Sequence, residues 1–212
     1  MTAFDLEEQE RVDALKDWWK QNGTYVYIGL AAIIIAIFSV TGWREYQTTH
    51  ADQAAEMFAQ FQKAAESHDP KKTQEAADKI TNQFPDSAYA AQAVLAAAQQ
   101  SVDGNDTASA QASLKWVVDK SKSTQLQSIA RLRLAALLLD QKKYDDALKL
   151  LDDNKDAAFI FLTADLKGDI NAAQGKIAEA RANYKLAVEK APAGSPAKQL
   201  TQVKLDMLSE GK

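Results

Sequence analysis

The chain has 212 residues, 46% of them hydrophobic, with eight glycines, four prolines and no cysteine. That content can build a core and excludes a disordered chain, and the scarcity of Gly and Pro beside abundant Ala, Gln, Lys, Leu and Asp favours long helices over strands. The formal charge of -4 leaves no basic surplus for nucleic acid, and the missing cysteine excludes disulfides, thiolate chemistry and a lipid-modified cysteine.

In chain order, residues 1–23 form a polar leader in which Arg11, Lys16 and Lys20 stand against six acids. Phe4, Val12, Leu15, Trp18 and Trp19 recur at helix-like intervals within it, as an amphipathic helix at a membrane surface requires. Residues 24–43 read as a transmembrane helix. Tyr25 to Trp43 is 19 residues without a formal charge, and at about 1.5 Å per residue such a helix just crosses a hydrocarbon core roughly 30 Å thick. Trp18, Trp19, Tyr25 and Tyr27 crowd one end of the span and Trp43 and Tyr46 the other, where amphipathic rings sit at headgroup level.

A cleaved signal peptide fits poorly, because the apolar run is long, the preceding region is acidic, and Trp43 and Arg44 follow directly. Three cations before the span and only Arg44 just after it place the N-terminus in the cytoplasm and the remainder outside. Within the span Gly29, Ala32, Ala36 and Ser39 fall on one narrow helix face, which lets a partner helix approach closely.

Residues 44–212 read as a water-soluble repeat domain. The clearest copy, DLKGDINAAQGKIAEARANYKLAVEKAP at 165–192, carries Gly168, Gly175, Ala180, Tyr184, Ala187 and Pro192 at the positions of the tetratricopeptide pattern. A second copy places Ala135, Tyr144, Ala147 and Leu151 earlier, and weaker copies centre on Ala110 with Leu114 and on Ala76 with Ile80. The fold expected is therefore all-α: one N-terminal transmembrane helix, then a tetratricopeptide-like α-solenoid of about four helix pairs and a C-terminal capping helix. Helices are expected over 45–67, 70–84, 87–102, 106–119, 124–140, 143–153, 157–174 and 176–190, with turns at Pro85, Gly104, Lys142 and Gly175. The cap, Pro196 to Leu208, should cover the last repeat with Leu200, Val203, Leu205 and Leu208 and turn polar residues outward.

Catalytic and metal-binding patterns are absent from this sequence. Its two histidines, His50 and His68, have no ligand spacing and read as solvated. The pairs Asp145–Asp146 and Asp152–Asp153 diverge around a helix, so they read as solvated faces and not as an acid–base dyad. No cofactor is expected. The candidate site is the concave face of the repeats. Repeat phase lines it with Gln92, Leu95 and Gln99 from one first helix, Ile129, Leu132 and Leu139 from the next, and Leu162, Asp165 and Asp169 from the last. An apolar groove of that kind suits helices or unfolded hydrophobic segments.

The leader EEQERVDALKDWWKQNG, the span closing in GWREY and the repeat DLKGDINAAQGK together resemble the YfgM family of ancillary SecYEG translocon subunits. The resemblance covers essentially the whole chain. It implies an inner-membrane protein with a periplasmic domain, partnered by the SecYEG translocon and by a membrane-anchored chaperone of the peptidyl-prolyl isomerase type. It further implies help in passing newly translocated polypeptides to periplasmic chaperones, and a link to envelope stress signalling on which these residues are silent. A membrane-anchored scaffold without client binding is the alternative reading.

Overall fold

The computed structural model describes residues 3–67 and 69–210. His68 and the side chain of Phe4 lie outside the described residues. Nine α-helices and a single 3-10 turn, with no strand, make up the described chain, which divides into two compact units, Met1–Ala51 and Asp52–Lys212.

The first unit lies within one helix, whose last residues, 52–66, belong to the second unit and bury Phe61 against Ala77 and Ile80. Helix α1 runs unbroken over Ala3–Glu66, where the sequence suggested a leader, a span and a first repeat helix as separate pieces. The physical reason is an absence of breakers. The first proline is Pro70, and an interior glycine such as Gly23 or Gly42 costs a helix only about 1 kcal/mol. Hydropathy changes along α1 therefore mark where its surroundings change, and not where the helix ends.

Helix α1 is long and apolar enough to cross a membrane, and Ile33, Ile34, Ile35, Ile37 and Phe38 are all exposed around it. Its polar side chains turn inward to the backbone: the Thr41 hydroxyl donates to the Ile37 carbonyl at 2.8 Å. Lipid offers such a hydroxyl no alternative partner. At one end Trp19 lies against Gly23 and meets the Tyr27 ring edge-on at 5.7 Å between centroids. At the other, Trp43 stacks on Tyr46, and Tyr46 packs beside His50.

The second unit packs helices in sequence order: α2 (Pro70–Gln83), α3 (Ala88–Asp103), α4 (Thr107–Lys120), α5 (Thr124–Asp140), α6 (Tyr144–Asp152), α7 (Ile160–Ala173), α8 (Ile177–Lys190) and α9 (Pro196–Glu210). The expected boundaries fall within a few residues of these, except that the first turn before α7 is a 3-10 turn, Ala157–Phe159. Polar caps start five of the helices, α9 among them through the Ser195 hydroxyl, which accepts from the Lys198 N–H at 3.2 Å. The side chains of Asp69, Ser87, Asp106 and Ser123 accept from backbone N–H groups of the first turns of α2, α3, α4 and α5. The Lys72 backbone N–H in that first turn holds the Asp69 carboxyl below the usual carboxylate range.

Each of these helices packs on the next, and α5 also touches α3 and α7, so the three form a layer. Small pivots permit the close approach: Ala110, Ala147 and Ala180 are fully buried, each followed one turn later by buried Leu114, Leu151 or Tyr184. The first copy departs from its expected phase. Ala76 is only partly buried, whereas Thr73, Ala77 and Ile80 form the buried stripe of α2. The fully buried pivots Ala110, Ala147 and Ala180 are set 37 and 33 apart.

One turn geometry recurs between paired helices. Asn105, Lys142 and Gly175 have φ of 60°, 59° and 74°, and the N–H of the following residue reaches back to Ser101, Leu138 and Asn171 respectively. Each closes α3, α5 or α7 with a left-handed cap. Gly104, the expected turn glycine, has φ of -82°; the left-handed position belongs to its neighbour Asn105.

Candidate functional site

The nine residues that repeat phase singled out lie on α3, α5 and α7. Gln92 and Gln99 are exposed on α3, with the Gln99 amide donating to Asp103 at 3.0 Å. Leu95, between them, is only 7% exposed and packs with Ala91, Ala98, Leu114 and Val117. It is interior because α4 and α5 close over that side of α3. Ile129 is half-buried against the same cluster, and Leu132 and Leu139 are half-buried against Ala135, Ala147 and Leu151. On α7, Leu162 is 44% exposed. The surface contributed by these residues is thus patchy, with α7 supplying its most open apolar side chain.

Asp165 and Asp169 do not stand free on that face. One turn apart on α7, they receive the Lys204 ammonium of α9 at 2.9 and 2.8 Å, and the Thr201 hydroxyl also donates to Asp165 at 2.8 Å. The Tyr184 hydroxyl of α8 donates to Asp169 at 2.7 Å. Three helices therefore meet in one polar cluster. Burial would lower the Lys204 ammonium, but the hydrogen-bonded Asp169 and Asp165 carboxylates outweigh it and raise it. Burial, reinforced by the hydrogen bond to Asp169 and by both acidic charges, raises the Tyr184 phenol. Sequence reading missed Lys204 and Thr201; the available signal was a lysine one turn from Leu200 and Leu208 on a helix otherwise expected to cover a core.

The cap itself is turned differently from expectation. Thr201 and Leu205 are buried and Leu208 half-buried, whereas Leu200, Val203 and Met207 are 61%, 53% and 68% exposed. Lys204 faces its carboxylates from the same side of α9 as Thr201, Leu205 and Leu208, and the opposite stripe is left in solvent.

In the first unit, Gly29, Ala32, Ala36 and Ser39 are exposed along α1, and a Cβ added at Gly29 would meet no other group. Nothing within the chain covers that stripe among the described residues.

An exposed apolar helix joined to stacked helix pairs with small pivots defines a membrane-anchored tetratricopeptide-like protein. The tetratricopeptide repeat-like domain family matches residues 16–210. A protein of Neisseria gonorrhoeae named ancillary SecYEG translocon subunit is 39% identical over 97% of this chain and 99% of its own length. Proteins of the same name from Haemophilus influenzae and Escherichia coli K12 are 31% and 29% identical, over 97% and 95% of this chain and 100% and 97% of their own. The chain belongs to this YfgM family of ancillary SecYEG translocon subunits. No solved structure matches it.

Proposed function

We propose that this protein is an ancillary, non-catalytic subunit of the Sec translocon that binds partner proteins through its repeats and helps pass newly translocated polypeptides to periplasmic chaperones. The observation that carries the reading is the near full-length relationship to proteins named as translocon subunits, which takes in leader, span and repeats together. Residues 1–23 lie in the cytoplasm, 24–43 cross the inner membrane and 44–212 are periplasmic, an arrangement supported by the cation bias of Arg11, Lys16 and Lys20 over Arg44.

The small stripe Gly29, Ala32, Ala36 and Ser39 packs a translocon helix. Anchoring then holds the repeats at high effective concentration near emerging chains, so contacts in the micromolar range, about -8 kcal/mol, are sufficient and allow release. A membrane-anchored peptidyl-prolyl-isomerase-like chaperone is the second partner, and nascent secreted chains are the clients. A fixed scaffold without clients is the rival reading, and it draws support from the engagement of Asp165 and Asp169 within the fold.

Photocrosslinking in intact cells separates the two readings. Probes at Ala32 and Ala36 should yield adducts with translocon subunits, and probes at Leu132 and Leu162 a heterogeneous set of secreted chains. A single discrete adduct from the repeat face would sink client handling and leave the scaffold.

A further inference from the structure

A tetratricopeptide array buries its apolar faces by stacking, so its first and last helices normally turn a polar face outward. Here neither end does. On the last helix, α9, Leu200, Val203 and Met207 form one exposed stripe, on the side away from Leu205 and its contact with Tyr184. At the other end, the last turns of α1 and helix α2 enclose a groove of about 250 Å³. Met57, Phe61, Ala64 and Ala76 floor it, and Lys72, Glu75 and Lys79 stand on its α2 side. The groove is smaller than a small-ligand site, roughly 300–1,000 Å³, but two helices with small residues between them leave a slot that one ridge of a third helix can fill.

Ridge and groove agree in length and oppose each other in charge. Leu200 to Met207 and Lys72 to Lys79 are each seven residues, about 10 Å of helix. The groove has two lysines against one glutamate. Lys79 joins no ion pair among the described residues, and Lys72 has only the Asp69 carboxyl, at 3.5 Å. Beside the α9 stripe stand Gln199 and Asp206, both exposed, whereas Lys198 falls nearly opposite Leu200 at about 100° per residue.

We infer that α9 of one copy seats in the α1–α2 groove of a second copy of this chain, head to tail, with its apolar stripe on the groove floor and Asp206 toward the groove lysines. Each copy carries both halves of the contact, and the arrangement extends the stacking of helix on helix that builds the array itself. An antiparallel pair of α9 helices would instead set the Asp206 flank against itself. The head-to-tail contact leaves one groove and one α9 unfilled in any pair, so further copies can add. Three large side chains bury far less than the about 800 Å² per partner of a standard stable interface, so the association is weak in solution and depends on the concentration that a shared membrane provides. It involves neither Leu132 nor Leu162, and stands whether or not the repeats hold clients.

The chain has no cysteine, so an introduced one reports a single contact. Full-length Lys79→Cys and Met207→Cys, both at exposed positions, are placed together in vesicles of phosphatidylethanolamine and phosphatidylglycerol and oxidised with copper phenanthroline. The mixture should give a mixed disulfide dimer that is lost when either variant is oxidised alone. Gln60→Cys with Val203→Cys, also exposed, provides a second pair should the first disturb the fold. As much dimer from Met207→Cys or Val203→Cys alone as from the mixtures would mean that α9 packs on α9. That result would overturn the head-to-tail contact, and so would the absence of dimer from both pairs.

Discussion

Gly168 shows how a single atom sets helix spacing in this domain. A Cβ built there would run into the Tyr184 ring, and that ring has its hydroxyl fixed on Asp169, so it cannot swing aside without breaking a bond. Gly168→Ala should therefore cost about 1–3 kcal/mol of stability, as overpacking of a close contact does, measured by urea unfolding. Lys204 makes the complementary argument through charge. Lys204→Met leaves Asp165 and Asp169 facing each other without a cation and should cost about 2 kcal/mol, with faster hydrogen exchange confined to α9 and its neighbours. The pH dependence follows from the same cluster. Tyr184 and Lys204 both titrate higher in the folded chain than their ordinary values of 10.0 and 10.5, so their contribution is complete below pH 10 and drains away as the pH rises beyond it. Thermal unfolding should be level from pH 8 to 9.5 and then fall, and Tyr184→Phe with Lys204→Met should flatten that fall.

Elements are where the sequence was most legible, because the signals that build them are local. Asp69, Ser87, Asp106 and Ser123 announce four helix starts by side chains that cap the next turn, and Ala110, Ala147 and Ala180 announce the tight contacts of three repeats. The first copy slipped because α2 offers Thr73, Ala76 and Ala77 as competing small residues, and only packing selects the stripe. The cap orientation was illegible because the groups that α9 meets, Asp165 and Asp169 among them, lie 35 to 39 residues away on α7. Leu95 could not be told from a surface position for the same reason: its covering helices belong to other parts of the sequence. Lys142 provides a test at this scale. It holds φ of 59° at the turn where the next repeat has Gly175, a conformation that costs a side chain roughly 1–2 kcal/mol. Lys142→Gly should stabilise the domain by up to about 1 kcal/mol in urea unfolding, part of the relief being offset by a freer unfolded chain.

For the whole molecule, the anchoring prediction rests on the uncharged stretch of α1. Ile34→Lys places a cation midway along it, at a cost near 2.5–3.5 kcal/mol for insertion, and should move a measurable share of the protein out of the alkali-resistant membrane fraction. Ala32→Leu with Ala36→Leu leaves insertion intact and should reduce recovery of translocon subunits on co-purification; unchanged recovery would remove the small stripe as a contact. The repeat unit answers to a different rule, since its helices touch mainly their neighbours along the chain. In such an array stability is shared out pair by pair, and the terminal helix has a neighbour on one side only. Helix α9 is fastened to that end chiefly by three polar bonds and Leu205, so its attachment is a separable step: it can fray while the preceding helices stay folded. An array closed in this way loosens from its end before its middle, and the bonds of Thr201 and Lys204 to α7 are what hold that end shut.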